Sequence, residues 1–330
     1  MSLAAAEPTA STGLCRVCGE THGQTHLARE MMIGLRDPFP YFECAVCGCV
    51  QIVEPPADLA RYYGEGYYSF GGDLDADFAD PAHRAEHGAR VRALLTRPGF
   101  LARRIVHTDM RRPLWSLRRL KLKPDSRILD VGCGAGRLLY QLKLAGFDRL
   151  LGLDAFLPED RTYANGLQIR RARLDEVEGG WDAIMLHHAF EHLPEPKATL
   201  GDIAARLAPG GRCLLRLPMA DSEAWRRYGV DWVQLDAPRH LFLHTRRSLE
   251  IAAASAGLRI EAVRWDSYEL QFWGSEQYRR DIPLQSEQSY RWGQGAPLFS
   301  PDQIAAWRRE SDQLNRAGRG DQAAVYLRRT

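Results

Sequence analysis

The sequence predicts an α/β fold: a doubly wound, mostly parallel sheet in residues 124–330, preceded by a small cysteine-rich module and a helical connector. Three observations carry this. A short apolar run at 127–131 feeds a glycine-rich loop that opens a helix. Strand-like and helix-like segments then alternate toward the C-terminus, which argues for parallel strands joined by right-handed crossovers and covered on both faces. Five of the seven cysteines stand between Cys15 and Cys49, a clustering that in an intracellular protein points to metal rather than disulfides.

The elements follow in order. A chain of 330 residues, 45% hydrophobic, suits two or three units and can fill a core without disulfides. Residues 1–13 are Ala/Ser/Thr-rich, with neither a basic start nor an apolar run, so a disordered tail and no signal peptide is expected. Residues 14–55 are the cysteine module. Residues 56–123 connect it onward: Pro-, Tyr- and Gly-rich to residue 80, then helical, with breaks at Pro98-Gly99 and Pro113. In 124–330, strands are expected at Arg127–Val131, Leu150–Asp154, Leu167–Arg171, Trp181–His187, Arg212–Leu217, Leu258–Trp265 and Ala323–Leu327. Helices are expected at Leu138–Ala145, Lys197–Leu207 and Ser248–Ala256, stopped by Gly146, Pro209-Gly210-Gly211 and Gly257. No stretch approaches the roughly 18 apolar residues of a membrane span. The formal net charge of +2 gives no global attraction to nucleic acid. A soluble, cytoplasmic protein with no membrane or nucleic-acid partner is expected.

The loop after the first of these strands reads Gly132-x-Gly134-x-Gly136. Such a turn brings bare backbone close to a ligand at a helix N-terminus. A dinucleotide fingerprint would need its third glycine at 137, where Arg137 stands. Asp130 would oppose a pyrophosphate but suits the amino group of a zwitterion. Asp154 closes the next strand, where a carboxylate can accept hydrogen bonds from both ribose hydroxyls.

With these residues the sequence resembles the class I S-adenosylmethionine-dependent methyltransferases. Leu129 to Gly136 (LDVGCGAG) resembles their first motif and Gly152-Leu153-Asp154 their second. Trp181 to Ile184 followed by Glu191 to Pro196 (EHLPEP) resembles their fourth strand and its loop, and Leu207 to Gly211 (LAPGG) the approach to the fifth. The resemblance spans about residues 124–265. It implies a Rossmann-like, seven-stranded sheet with an antiparallel last strand, and S-adenosylmethionine as cofactor. It further implies that Asp130, Gly132, Cys133, Gly134 and Gly136 line the methionine end, with His187 on the cofactor side. Asp154 would hold the ribose and Asp175 the adenine amino group, with Glu176 competing for the last role.

Cys15-x-x-Cys18 and Cys44-x-x-Cys47 are two knuckles separated by 25 residues. Four thiolates suit tetrahedral zinc, and a closed four-cysteine site is structural rather than catalytic. Cys49 is a fifth candidate whose side chain is expected to point elsewhere. A zinc module followed by the tyrosine-rich stretch Arg61 to Tyr68 (RYYGEGYY) resembles bacterial sugar C-methyltransferases and their relatives. That implies a small-molecule acceptor such as a nucleotide sugar. The tyrosines either close over cofactor and substrate or form a seam between modules.

Catalytic candidates must follow strands, because sites of doubly wound sheets lie beyond the carboxyl ends. His187, His188, Glu191 and His192 follow the fourth strand; Asp236, Arg239, His240 and His244 follow the fifth. His240 is the expected base, oriented by Asp236, with His188 and His192 as further candidates; histidine exchanges protons near neutrality. Arg103, Arg104, Arg111, Arg112, Arg118 and Arg119 are either a solvated helix face or a phosphate-binding surface, with Leu101, Ile105, Leu114 and Leu117 as the packing face. Two other functions compete: an RNA or protein methyltransferase docked through the zinc module and basic helices, and a non-catalytic zinc-binding interaction protein.

Overall fold

The computed structural model describes residues 9–63, 71–96, 111–293 and 298–330. Tyr67 and Tyr68, the Pro98-Gly99 break, Leu101, Arg103, Arg104 and Ile105 lie outside the described residues. The strands are β1 Thr9–Thr12, β2 His22–Arg29, β3 Pro38–Cys44, β4 Val50–Ile52, β5 Ile128–Val131, β6 Leu150–Leu153 and β7 Arg161–Thr162. They continue with β8 Gln168–Arg170, β9 Trp181–His187, β10 Leu207–Pro218, β11 Phe242–Leu243, β12 Leu258–Trp265 and β13 Gln322–Arg329.

The central sheet runs β12-β13-β10-β9-β5-β6-β8-β7. Strands β10, β9, β5, β6 and β8 are mutually parallel, and β13 is inserted antiparallel between β10 and β12. The expected antiparallel last strand is therefore present. The count is eight rather than seven: Arg161–Thr162 folds back on β8. An Ala164-Asn165-Gly166 turn closes that hairpin, with Gly166 at φ +80° and its N–H donating to the Tyr163 carbonyl at 2.9 Å. Asn-Gly is a strong hairpin signal, and the strand was missed because it is only two residues long.

Alternation along β9 sorts the core into two faces. Ala183 and Met185 join Ile128, Leu138, Leu139, Leu214 and Tyr326 on one side. Ile184 and Leu186 join Leu129, Leu200, Ile203, Cys213 and Leu249 on the other. Helices Pro81–Thr96, Arg111–Leu117 and Arg137–Leu144 cover the first face; Pro196–Arg206 and Arg246–Ser255 cover the second. The connector helices thus belong to the catalytic core, with Leu94, Leu114 and Leu117 fully buried. Pro113 does not break a helix: it lies in the first turn of Arg111–Leu117, where a missing N–H costs little.

Helices Leu270–Arg279 and Pro301–Arg316 were not expected from sequence. The second carries a Ser300 cap, which accepts from Gln303 N–H at 3.2 Å, and Pro301 at its start. Its apolar stripe is thin, since Ile304, Ser311 and Leu314 are its buried residues.

The cysteine module is an antiparallel sheet in the order β1-β2-β3-β4-β11. Two corrections follow. Thr9–Thr12 pairs with β2, so this part of the expected disordered tail is a strand, held by the open edge of that hairpin. The module is also not confined to 14–55: β11 comes from the far end of the chain, pairing Phe242 with Gln51 and Leu243 with Val50. The backbone ladder of β4 would otherwise be unpaired there, and buried N–H and C=O groups demand partners.

Helices Pro81–Thr96 and Arg137–Leu144 cross at Gly88. A Cβ at that position would lie 2.2 Å from the Leu144 carbonyl oxygen. Gly88→Ala is therefore expected to destabilise the protein by about 1–3 kcal/mol through overpacking, read as a lower denaturant midpoint; an unchanged midpoint would contradict so close a crossing.

Candidate active site

Beyond β5 the chain turns through Gly132, Gly134 and Gly136 at φ +73°, +55° and +79°. Side chains avoid this left-handed region, and a Cβ at Gly132 would also meet the Ala189 Cβ at 2.4 Å. Asp154 ties the loop to β6. Its Oδ2 accepts from Gly134 N–H at 2.9 Å and its Oδ1 from Phe156 N–H at 3.0 Å. The Cys133 thiol points inward, 2.6 Å from where a Gly152 Cβ would stand. That contact explains why residue 152 carries no side chain.

Asp130 lies beneath this loop, 3% exposed, and its Oδ1 has no hydrogen-bond partner among the described residues. Burial, with the Asp154 charge beside it, pushes its carboxyl well above the usual range. A buried carboxylate left unpaired is costly, so Asp130 marks a place for a donor or cation. The ammonium of a methionine-like zwitterion fits it, and the bare glycine backbone fits close approach of the same ligand. His187, at the end of β9, also has both ring nitrogens buried without partners, and burial together with Arg216 and His188 brings its pKa down to about 3. It is a neutral ring at physiological pH.

Asp175 is exposed and paired with Arg173 at 3.1 Å, which lowers its pKa. Glu176 instead accepts from Arg173 N–H at 2.6 Å and closes the helical turn Leu174–Glu176. Of the two acids, Glu176 is thus engaged by local structure.

The candidates after β9 and β10 separate clearly. His240, His192, Glu191 and Asp236 come together; His188 touches this cluster through Nδ1, 3.3 Å from Glu191 Oε1, but is bound by Arg216 on its other nitrogen, and His244 has other partners. His188 has φ +52°, and its Nε2 receives the Arg216 Nη1 donor at 2.6 Å. Arg216 is itself paired with Asp266 at 2.7 Å. A lone pair occupied by a guanidinium cannot serve as a base, which removes the physical support for His188 in that role. His244 is fully buried between Phe190 and Phe242, and burial lowers its pKa to about 4.

His240 is 7% exposed and donates from Nδ1 to the Gln234 carbonyl at 2.8 Å. Its Nε2 faces Asp236 Oδ2 at 3.6 Å and Glu191 Oε1 at 3.9 Å. His192 donates from Nδ1 to the Arg239 carbonyl at 2.9 Å, and the two rings meet edge to face at 4.8 Å. Burial, then the nearby His240, lowers the His192 pKa. Asp236, at φ +47°, pairs with the buried Arg239. Burial alone would raise the Asp236 pKa, but Arg239 and His240 outweigh it and hold the carboxyl below its usual range. Glu191 behaves alike: burial opposes its charge, yet His188, His240 and His192 bring it down to about 2.

Two aromatic residues join this cluster to the loop. Phe156, two positions beyond Asp154, is 71% exposed and stacks with Tyr63 at 6.4 Å. The Tyr63 hydroxyl lies 3.5 Å from His192 Nδ1. Phe156 was not singled out from sequence; the usable signal was an aromatic two positions after the strand-end acid.

In the cysteine module, Cys15 Sγ lies 3.6 Å from Cys47 Sγ and Cys18 Sγ lies 3.5 Å from Cys44 Sγ. All four sulfurs fall within 4.8 Å of one another, and none is in a disulfide. Cys49 is fully buried outside this set. Among the described basic residues, Arg112, Arg118 and Arg119 lie over the rings of Tyr268, Trp115 and Tyr326.

Asp130 permits a test. Its folded pKa is raised, so the native state holds a proton that the unfolded chain releases, and stability falls as pH rises above about 4, the unfolded value. Asp130→Asn is therefore expected to raise the thermal midpoint of cofactor-free protein at pH 8 while weakening S-adenosylhomocysteine binding in calorimetry. A lower midpoint would contradict the burden assigned to this carboxyl.

Residues 103–263 match the family model for a methyltransferase domain. A ubiquinone biosynthesis O-methyltransferase from Xanthomonas axonopodis pv. citri is 30% identical over 171 residues, covering 45% of this chain and 70% of that protein. One from Xylella fastidiosa is 30% identical over 164 residues, covering 44% and 65%. Among solved structures, geranyl diphosphate C-methyltransferase from Streptomyces coelicolor A3(2) aligns at TM-score 0.45 and 16% identity, covering 83% of this chain and all (100%) of that one. A cyclopropane synthase from Mycobacterium tuberculosis aligns at TM-score 0.44 and 16% identity, covering 76% and 99%. With its motifs assembled on the sheet they require and a curated relative matched over most of its length, the chain belongs to the S-adenosylmethionine-dependent methyltransferases.

Proposed function

We propose that this enzyme methylates a small metabolite whose acceptor atom must lose a proton: a hydroxyl oxygen, or a carbon beside a carbonyl. The observation that carries the reading is the short bridge from the cofactor loop to the histidine cluster through Phe156, Tyr63 and His192. It supports an acceptor seated between them. When bound, S-adenosylmethionine supplies a methyl carbon on a positively charged sulfur, to be displaced in line. Asp130 and the Gly132–Gly136 backbone would hold its amino-acid end, Asp154 its ribose and Asp175 its adenine. The protein's further task is to position the acceptor and take away its proton. His240, held by the Gln234 carbonyl and flanked by Asp236 and Glu191, is the side chain on which that removal depends.

Acceptor identity is supported from two sides. The layout of residues 15–68 resembles sugar C-methyltransferases and favours a nucleotide sugar. The relatives named as ubiquinone biosynthesis O-methyltransferases favour oxygen. Both chemistries share the need for deprotonation. Of the basic helix residues, Arg112, Arg118 and Arg119 rest their guanidinium groups on aromatic rings, which does not favour an RNA acceptor.

The four thiols suit a structural zinc ion. Tetrahedral ligands about 2.3 Å from zinc stand roughly 3.8 Å apart, close to the observed 3.5 and 3.6 Å. Such an ion would stiffen the sheet that carries β11. Protein washed with a mild chelator is expected to keep about one equivalent of zinc by metal analysis, and Cys44→Ser to lose both the metal and several degrees of thermal stability. Retention of full zinc by that variant would remove Cys44 from the ligand set.

His240→Ala is expected to slow single-turnover methyl transfer by about a hundredfold or more, with S-adenosylhomocysteine affinity intact in calorimetry. Candidate acceptors would be screened as nucleotide sugars and phenolic or hydroxylated metabolites, read by mass shift. Unchanged single-turnover rates on the true acceptor would overturn the role given to His240.

A further inference from the structure

We propose that Glu191, His192 and His240 form a divalent-cation site at the acceptor end of the cleft. The inference rests on the methyl-transfer reading and specifies how the cluster handles the acceptor proton.

Glu191 is fully buried, and neither carboxylate oxygen has a hydrogen-bond partner among the described residues. His188 Nδ1 lies 3.3 Å from Oε1, while Oε2 has no partner among the described residues. A buried carboxylate in that state needs a positive partner. The two imidazoles beside it are already oriented. A carbonyl oxygen only accepts, so Gln234 and Arg239 fix the proton of each ring on Nδ1. In the neutral rings both Nε2 atoms then carry bare lone pairs. One ring nitrogen of each histidine and a Glu191 oxygen lie within 4.8 Å of one another, with His240 Nε2 3.9 Å from Glu191 Oε1.

With both rings neutral and no cation, three electron-rich atoms would face each other in a buried pocket. Two imidazolium rings at 4.8 Å would repel in their turn. A divalent ion between them resolves both conflicts. Pinning Nδ1–H to a carbonyl is also the support that metal-bound histidines commonly have. Two imidazoles and one carboxylate suit zinc, cobalt, manganese or iron, and three protein ligands leave coordination positions open. Asp236 pairs with Arg239 and stands outside the set.

An acceptor hydroxyl or carbonyl oxygen would occupy an open position. The cation makes the acceptor's O–H, or the C–H beside its carbonyl, more acidic, and the proton leaves to solvent. The acceptor's electron pair then forms the new bond to the methyl carbon as the carbon–sulfur bond breaks, and its electrons return to sulfur. His240 acts here as a ligand.

The test is a Co2+ titration of chelator-washed, full-length protein whose thiolate zinc is retained. One further equivalent of cobalt is expected, with the weak visible bands of a nitrogen–oxygen site and without the intense sulfur charge-transfer band of a thiolate site. Glu191→Gln and His192→Ala should each weaken that binding by about tenfold or more, and His240→Gln serves where either variant misfolds by circular dichroism. No cobalt band in the native protein, a band of thiolate type only, or a band that survives in the folded variants would overturn the proposal. S-adenosylhomocysteine calorimetry runs alongside: intact binding with no cobalt site rejects the metal alone, whereas absent binding would reject the cofactor assignment and leave the cobalt result standing on its own.

Discussion

The pairing of β11 with β4 is the constraint on which the acceptor side of this protein depends. Two residues, Phe242 and Leu243, complete the cysteine sheet through Gln51 and Val50. That register fixes the segment just before them. The Tyr41 hydroxyl donates to the His240 carbonyl at 2.8 Å, Ile52 N–H to the Leu241 carbonyl at 3.0 Å, and Leu241 N–H to the Glu191 carbonyl at 2.8 Å. On the far side, Thr245 donates to the Cys47 carbonyl at 2.5 Å and caps the helix Arg246–Ser255. A one-residue slip would turn alternate side chains to the opposite face and draw His240 away from Glu191. The cysteine module, some 200 residues away in sequence, thus holds the segment that places His240 beside Glu191.

Charge forms a second thread. Asp130, Asp154 and Glu191 are all buried near the carboxyl ends of the central strands. Asp154 is satisfied by backbone donors and serves to shape the loop. Asp130 and Glu191 keep oxygens without partners. Natural interiors rarely tolerate this, and the two positions are the ones proposed above to face the cofactor ammonium and the acceptor. For Asp130, whose carboxyl is pushed up by burial, the cost to the empty protein is the counterpart of affinity for what fills the site.

Much of the fold was legible because its signals are local. The strand Arg127–Val131, the LDVGCGAG loop and the strand-end Asp154 each depend on neighbours in the chain, and periodicity located Trp181–His187 and Leu258–Trp265 with the bounds they have in the fold. The thin-striped helix Pro301–Arg316 and the two-residue β7 were not legible, because pattern needs length and apolar contrast. Pro113 misled because a proline reads as a break unless the helix start is known.

The site divides along the same line. Glycine spacing and strand-end acids pointed to the cofactor from sequence, since loop, helix start and carboxylate lie within one βαβ unit. Four cysteines in two knuckles pointed to zinc for the same local reason. Tertiary structure alone distinguished the histidines. Sequence favoured His240, with His188 and His192 as further candidates, but gave none of them its surroundings; in space Arg216 takes the lone pair of His188, two phenylalanines enclose His244, and backbone carbonyls orient the rings of His192 and His240. Such roles come from partners dozens to hundreds of residues away, brought together by a β-pairing that no local pattern announces.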